Sequence, residues 1–152
     1  PLGRLIGALG AHLLTGGGAG VMAAVAEAFV QTKNRHGLSL GILPGDWDTG
    51  LAPEGYPNPW VELMVRTHLP GRGLDGGGRD SRNAMNVLSA DRLVILPGGD
   101  GTRSEARLAV RYGRPTMSFG ATYPEIPEAT GLSAVEKFLR DGTGSKPTES
   151  AH

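Results

Sequence analysis

Short apolar runs alternate along the chain with longer stretches in which apolar residues recur at helical spacing. The longer stretches predict helices over Leu2–Leu9, Val21–Val30, Arg82–Ser89, Thr102–Tyr112 and Leu132–Leu139. The short runs predict strands over His12–Thr15, Leu38–Leu43, Val61–Arg66, Arg92–Leu96 and Pro115–Phe119. Strands of about five residues that alternate with helices of about ten indicate a parallel sheet covered by helices on both faces.

The predicted fold class is therefore α/β, a Rossmann-like parallel sheet with helices on both faces, in a single domain over residues 1–140. At 152 residues the chain is long enough to bury a hydrophobic core without metals or disulfides. Asp46–Pro59, which is rich in Pro and Gly, is predicted to be a long surface loop, and Pro70–Gly78 a mobile connection. The polar residues 141–152 are predicted to form a disordered tail.

Composition excludes several classes of protein and site. The sequence contains no cysteine, which rules out a disulfide framework, a zinc–thiolate site and a thiol nucleophile. It has no run of about 18 apolar residues and no signal-peptide pattern, so we expect a cytoplasmic protein that does not engage a membrane. The 15 Lys and Arg residues balance 15 Asp and Glu residues, which argues against nucleic acid as a partner. The four histidines are scattered, and no metal site is predicted.

Glycine makes up 25 of the 152 residues and is concentrated in two loops. The first glycine loop reads Leu14-Thr-Gly-Gly-Gly-Ala-Gly-Val-Met22, and the second reads Leu96-Pro-Gly-Gly-Asp-Gly-Thr-Arg-Ser-Glu105. Each follows a predicted strand and opens a predicted helix, so free backbone N–H groups and a helix N-terminus face one point. Because ligands bind beyond the carboxyl ends of parallel strands, both loops are expected to border one crevice that binds a phosphorylated small molecule.

Familiar nucleotide-binding loops fit these glycines poorly. The dinucleotide fingerprint needs a third glycine where the first loop has Val21 and the second has Ser104, and no Walker lysine follows either loop. Dehydrogenases and P-loop NTPases are therefore disfavoured. Gly98-Gly-Asp-Gly-Thr102 also matches the short signature of NAD and lipid kinases, which carry a sizeable second domain, whereas only 50 residues follow Thr102. A kinase-like protein is a remote alternative.

Four segments together resemble the lonely-guy superfamily, also called LOG-like or lysine decarboxylase-like proteins. They are the first glycine loop from Thr15 to Met22, Ser81-Arg-Asn-Ala-Met-Asn-Val-Leu-Ser-Ala-Asp91, Pro97-Gly-Gly-Asp-Gly-Thr-Arg-Ser-Glu105 and Tyr112-Gly-Arg-Pro115. The resemblance covers roughly Gly3 to Leu139 and implies a Rossmann-like fold. Relatives begin with a strand and a loop before their first helix, and this first strand is expected to be absent from the sequence.

Two functions follow from this resemblance. Founding members of the superfamily are phosphoribohydrolases, which need no cofactor to cleave the N-glycosidic bond of nucleoside 5′-monophosphates. Their signature Pro-Gly-Gly-x-Gly-Thr-x-x-Glu matches Pro97 to Glu105. A second branch, which includes molybdenum-cofactor carrier proteins, has Arg-Asn-x-x-Asn where the enzymes have Arg-Lys-x-x-Met, and Arg82-Asn83-Ala-Met-Asn86 follows that branch. Nucleotide hydrolysis is the leading interpretation of the sequence, and a non-catalytic carrier of the molybdenum cofactor is the alternative.

The resemblance also implies roles for particular residues. Glu105 and Arg82 are expected to be the catalytic pair, since a carboxylate beside the sugar stabilises the positive charge that develops during cleavage. The residues expected to contact the phosphate or the rest of the ligand are Gly17, Gly18, Gly20, Asn83, Gly98, Gly99, Gly101 and Thr102. A homodimer with the crevice near the subunit interface is implied as well.

Structural explanations compete with these roles. Thr102-x-x-Glu105 is also a capping box, in which each end satisfies a free N–H group at the start of a helix. A surface pair with Asp80 or Asp91 is the structural alternative for Arg82. The first glycine loop is also explained as a tight turn between a strand and a helix.

Overall fold

The computed structural model describes residues 1–78 and 80–141. Its helices are α1 (Leu2–Ala8), α2 (Val21–Val30), α3 (Arg82–Ser89), α4 (Asp100–Arg111) and α5 (Leu132–Arg140). Its strands are β1 (Leu13–Thr15), β2 (Ser39–Leu43), β3 (Leu63–Arg66), β4 (Leu93–Ile95), β5 (Thr116–Phe119) and β6 (Glu128–Ala129). A short 3₁₀ helix covers Gly73–Gly77. The predicted tail lies outside the described residues, apart from Asp141.

The strands pair in parallel, in two sheets of three strands with the orders β1-β2-β3 and β4-β5-β6. In the first sheet Leu14 lies opposite Leu40, and in the second Val94 lies opposite Met117. Parallel pairing, with α2 connecting β1 to β2 and α4 connecting β4 to β5, confirms the predicted Rossmann-like α/β fold. The division into two sheets was not predicted, because the sequence pattern locates strands but does not say which of them are neighbours.

Helices cover both faces of the second sheet. Leu93 and Ile95 contact the clusters formed by α3 and α4, whereas Val94 and Leu96 pack against the core that includes α1, α2 and α5. Phe29 of α2 is fully buried in that larger core. Alternation of side chains between two helix layers is the period-two pattern of a strand buried on both faces.

Several predicted boundaries need correction. Helix α4 begins at Asp100, two residues before the predicted start, because the chain turns helical within the glycine loop itself. The connection predicted to be mobile contains the 3₁₀ helix, and its Gly76 lies so close to Asn83 and Ser104 that a Cβ atom would collide with both. Strand β6 was not predicted, since two residues are too few to show a hydrophobic period.

The long loop between β2 and β3 is present as predicted and begins with an ordered turn. Asp46 Oδ1 accepts hydrogen bonds from the backbone N–H groups of Asp48 and Thr49 and from the Thr49 hydroxyl. The hydrogen bonds from Thr49 hold the pKa of Asp46 below its usual value, and the hydrogen bond from Asp48 makes a smaller contribution in the same direction. Within the described residues, no helix is both long and apolar enough to cross a membrane.

Candidate functional site

The N-terminus of α3 places two predicted site residues in the interior of the protein. Ser81 caps the helix, with its Oγ accepting a hydrogen bond of 3.1 Å from the Asn83 backbone N–H. Arg82 and Asn83, the first two residues of the helix, are 4% and 1% exposed. A buried guanidinium needs compensating partners, because its desolvation is costly. The contacts of Arg82 therefore define the site.

Arg82 connects three parts of the chain. Its Nη1 atom donates a hydrogen bond to Asn83 Oδ1 and lies 3.7 Å from Glu105 Oε1 on α4. Its guanidinium also lies against the first glycine loop, since a Cβ atom added at Gly16 would be 2.5 Å from Nη2. The competing prediction of a surface pair with Asp80 or Asp91 is wrong, because the side chain is buried.

Glu105 lies in the second turn of α4, with its side chain 26% exposed. Its Oε1 atom accepts a hydrogen bond of 3.3 Å from Asn86 Nδ2. Burial raises the pKa of Glu105 above its usual value, although the charge of Arg82 and the Asn86 hydrogen bond both act to lower it. The capping-box interpretation is wrong, because α4 begins at Asp100 after Gly99, and no side chain caps it.

Two buried polar atoms near this ion pair have no hydrogen-bond partner among the described residues. They are Arg82 Nε, a donor, and Asn86 Oδ1, an acceptor. Asn83, by contrast, is occupied at both ends of its amide, since its Nδ2 atom donates to Ser104 Oγ at 3.4 Å. An unpaired buried polar group costs about 1–3 kcal/mol, so a ligand that offers one acceptor and one donor would relieve both atoms.

The first glycine loop is held tightly by its neighbours. Gly17 has φ +74°, and a Cβ atom there would lie 2.4 Å from Leu43 Cδ2, so the position accepts only glycine without strain. The Thr15 hydroxyl accepts a hydrogen bond of 3.1 Å from the Gly17 backbone N–H. Gly17 and Gly18 are buried, whereas Gly20, the residue before α2, is exposed.

Asn58 of the long loop was not predicted as a site residue. It is 5% exposed and donates hydrogen bonds to the carbonyl oxygens of Gly17 and Gly18. The one sequence signal is its position between Pro57 and Pro59. The two prolines restrict the backbone there, but they do not indicate that Asn58 contacts the first glycine loop. Ser104, which binds Asn83, was likewise assigned no role by the sequence.

The second glycine loop is more open. Gly98 and Gly99 are exposed, and Gly101 and Thr102 are half-buried in the first turn of α4. Since a helix rises about 1.5 Å per residue, the start of α4 lies roughly 7.5 Å along the helix axis from Glu105. Asp100 is exposed and pairs with Arg103 at 3.0 Å, on the surface rather than beside Arg82.

Comparisons with known proteins show the family to which the chain belongs. The model of the SLOG cluster4 family matches residues 1–142. An uncharacterized protein of Archaeoglobus fulgidus is 31% identical over 117 residues, which are 77% of this chain and 65%, just under two thirds, of that protein.

Two solved structures share the fold over most of both chains. The molybdenum cofactor binding protein from the phototrophic bacterium Rippkaea orientalis matches with a TM-score of 0.72 and 26% identity, covering 92% of this chain and 82% of that one. The molybdenum cofactor carrier protein MCP from Chlamydomonas reinhardtii matches with a TM-score of 0.70 and 26% identity, covering 95% and 84%. The matches confirm the predicted fold and the resemblance to the LOG-like branch that includes such carriers.

Proposed function

Because the chain belongs to the SLOG cluster4 family, we propose that it binds the molybdenum cofactor as cargo and carries it without cleaving it. The two similar solved structures described above are a molybdenum cofactor binding protein and a molybdenum cofactor carrier protein. Nucleotide hydrolysis, the leading interpretation of the sequence, becomes the second candidate. The choice between them rests on the chemistry around Glu105 and Arg82.

One observation carries the proposal. Asn83 and Asn86 stand where the hydrolase motif has Lys and Met, and each binds one member of the expected catalytic pair. Asn83 Oδ1 accepts from Arg82, and Asn86 Nδ2 donates to Glu105 at 3.3 Å. A lysine cannot accept a hydrogen bond, and methionine has no donor. Asn83 and Asn86, the two residues that depart from the hydrolase motif, therefore hold Arg82 and Glu105 in place by hydrogen bonds within the protein.

The remaining polar groups fit a phosphorylated pterin. The unpartnered Arg82 Nε–H suits a phosphate oxygen, and the unpartnered Asn86 Oδ1 suits an N–H group of a pterin ring. The predicted phosphate contacts are the backbone N–H groups of the two glycine loops. The chain's own residues would bind and shield the cargo, and no bond to it needs to be broken.

A phosphoribohydrolase is the second candidate because of one property of Glu105. Its side chain is 26% exposed, and burial raises its pKa, which favours the protonated carboxyl group. A carboxyl group of that kind beside a sugar is able to protonate a leaving base or to stabilise positive charge on the ring. This reaction needs no cofactor.

The test measures cargo and catalysis in the same preparations. The protein is purified from cells that make molybdenum cofactor, and bound pterin is oxidised to its fluorescent form and quantified by chromatography. We expect close to one pterin per chain, and at least about tenfold less for Arg82→Gln, which loses a charged buried donor. Arg103→Gln, an exposed change on α4, is the matched control and should carry as much as the unmodified chain.

The same preparations are incubated with AMP, GMP, CMP and isopentenyl-AMP, and base release is followed by chromatography. No release is expected from any of them. The carrier function would be wrong, and the hydrolase function would take its place, if the protein carried no pterin and released base in a reaction that Glu105→Gln abolishes.

We also propose a cytoplasmic homodimer, the state that the resemblance implies. Met85 and Leu88 on α3 and Val110 on α4 are 36%, 49% and 36% exposed, and these two helices pack on each other. Apolar side chains of this kind suit a subunit interface. A mass of one subunit in analytical ultracentrifugation would refute the dimer.

A further inference from the structure

Asn58 holds two successive peptide groups of the first glycine loop. Its backbone N–H donates to the Gly17 carbonyl oxygen at 2.8 Å, and its side-chain Nδ2 donates to the Gly18 carbonyl oxygen at 2.8 Å. The third polar group of Asn58, Oδ1, accepts from the Trp60 backbone N–H at 3.0 Å. One buried residue therefore fixes both the loop and its own position.

These two bonds determine where the neighbouring N–H groups point. In a trans peptide the carbonyl and the N–H of the same unit point in opposite directions, and both units here are trans. With their carbonyl oxygens turned toward Asn58, the units present the N–H groups of Gly18 and Ala19 on the side away from it. No hydrogen bond within the described residues uses either N–H group. Successive N–H groups that point the same way form an anion-binding concavity.

Two neighbouring features favour an anion at this point. Helix α2 starts at Val21, directly after Gly20, and adds the free N–H groups of its first turn. The Arg82 guanidinium lies against Gly16, and its buried Nε atom has no partner. Unpaired backbone donors of the loop thus lie in the same part of the site as a buried cation that has an unpaired donor.

We propose that Asn58 is a positioning residue for the phosphate group of the ligand, acting through the Gly17–Gly18 and Gly18–Ala19 peptides. The proposal rests on the proposed function, because it assigns a residue to the same crevice. It also makes the ligand class narrower, since a concavity of N–H groups selects an anionic phosphate over a neutral sugar or ring.

Inorganic phosphate is the probe, and the amide resonances of Gly18 and Ala19 are the readout in a nuclear magnetic resonance titration. Asn58→Asp keeps the shape of the side chain and the oxygen that binds Trp60, but it removes the donor to Gly18. Asn58→Ala removes the side-chain bonds without adding charge. Asn34→Asp, at an exposed asparagine, is the matched control. Titrations at high salt screen the added charge of the aspartates.

The unmodified chain should show phosphate-dependent shifts at Gly18 and Ala19, and Asn34→Asp should bind equally well. Both Asn58 variants should bind phosphate on the order of tenfold more weakly, the ratio expected for the loss of one hydrogen bond to an oriented group. If Asn58→Ala does not fold, the high-salt affinity of Asn58→Asp decides. Unchanged affinity in the folded variants, or no shift at Gly18 and Ala19 in the unmodified chain, overturns the proposal. Phosphate-dependent shifts in a chain that carries no pterin would retain this role for Asn58 and refute only the carrier function.

Discussion

The two glycine loops look alike in sequence, but the structure treats them differently. Gly17 and Gly18 of the first loop are buried, and the loop is held by Thr15, Asn58 and the Arg82 guanidinium. Gly98 and Gly99 of the second loop are exposed, and a Cβ atom at Gly99 would meet nothing within 4 Å. Glycine thus allows close packing at Gly17, whereas the space beside Gly99 is open.

A glycine-rich loop therefore becomes a binding site through the residues that surround it. The first loop has its carbonyl oxygens fixed from outside, so its N–H groups are oriented before any ligand arrives. Such preorganisation avoids the entropy cost of ordering a loop on binding. The second loop contributes the uncapped start of α4, whose free N–H groups have no side-chain partner. Binding strength is therefore expected to come mainly from the first loop.

The largest effect is expected when an alanine is placed in the first glycine loop, whose backbone is held by its neighbours. Gly17→Ala forces a side chain into a backbone with φ +74° and sets its Cβ atom 2.4 Å from Leu43 Cδ2. Strain and overpacking together should lower the free energy of unfolding by about 2–4 kcal/mol. Urea unfolding followed by circular dichroism measures the change.

Gly99→Ala is the matched control in the open loop. Its φ of −85° suits alanine and the added methyl meets no neighbour, so the free energy of unfolding should fall by no more than about 1 kcal/mol, the difference between glycine and alanine as N-caps. Equal losses in the two variants would contradict the distinction between a held loop and an open one.

Local pattern was sufficient to predict most of the fold. The predicted bounds of Val21–Val30 and Arg82–Ser89 agree with the structure, because Gly20 and Ser81 mark where the helices begin and the apolar spacing marks how far they extend. The start of α4 was placed too late, since Gly and Asp are weak helix formers and gave no local sign that the helix had begun. Pairing of the strands depends on contacts between distant residues, which no local pattern contains.

The candidate site was predictable in part. The resemblance supplied Arg82 and Glu105, and the structure places them 3.7 Å apart. The role of Asn58 was not predictable, because it contacts Gly18 across 40 positions of sequence. The choice between a capping box and an inward-facing Glu105 was also open, since a Thr-x-x-Glu spacing fits both until the first residue of the helix is known.

Glu105, which pairs with the Arg82 guanidinium that lies against the first loop, gives the next test through its pKa. Because burial raises that pKa in the folded protein, the native state binds this proton more tightly than the unfolded chain does. The resulting stability is fully present below the ordinary value of 4.5 and is lost as the pH rises through the raised pKa. Between pH 4 and 8, the melting temperature of the unmodified chain should therefore fall relative to that of Glu105→Gln.

Glu54→Gln, a change at an exposed carboxylate, measures the effect of removing one negative charge elsewhere. A melting temperature that rises with pH relative to Glu105→Gln would have the opposite meaning. It would show that Arg82 and Asn86 stabilise the carboxylate more than burial opposes it, and the site would then hold a permanent ion pair.

The smallest effect is expected from adding a cap to the open loop. Ser81 caps α3 with its hydroxyl, whereas Gly99 leaves the start of α4 without a side-chain acceptor. Gly99 has extended backbone, which suits a capping serine, so Gly99→Ser should raise the free energy of unfolding by a few tenths of a kcal/mol, about the difference between these residues as caps.

If the α4 N–H groups also bind phosphate, the new hydroxyl competes with the anion, and phosphate affinity falls as stability rises. Urea unfolding and a phosphate titration on the same variant measure both quantities. Increased stability with unchanged affinity would confine phosphate binding to the first loop, and a loss of stability would show that the start of α4 is already satisfied.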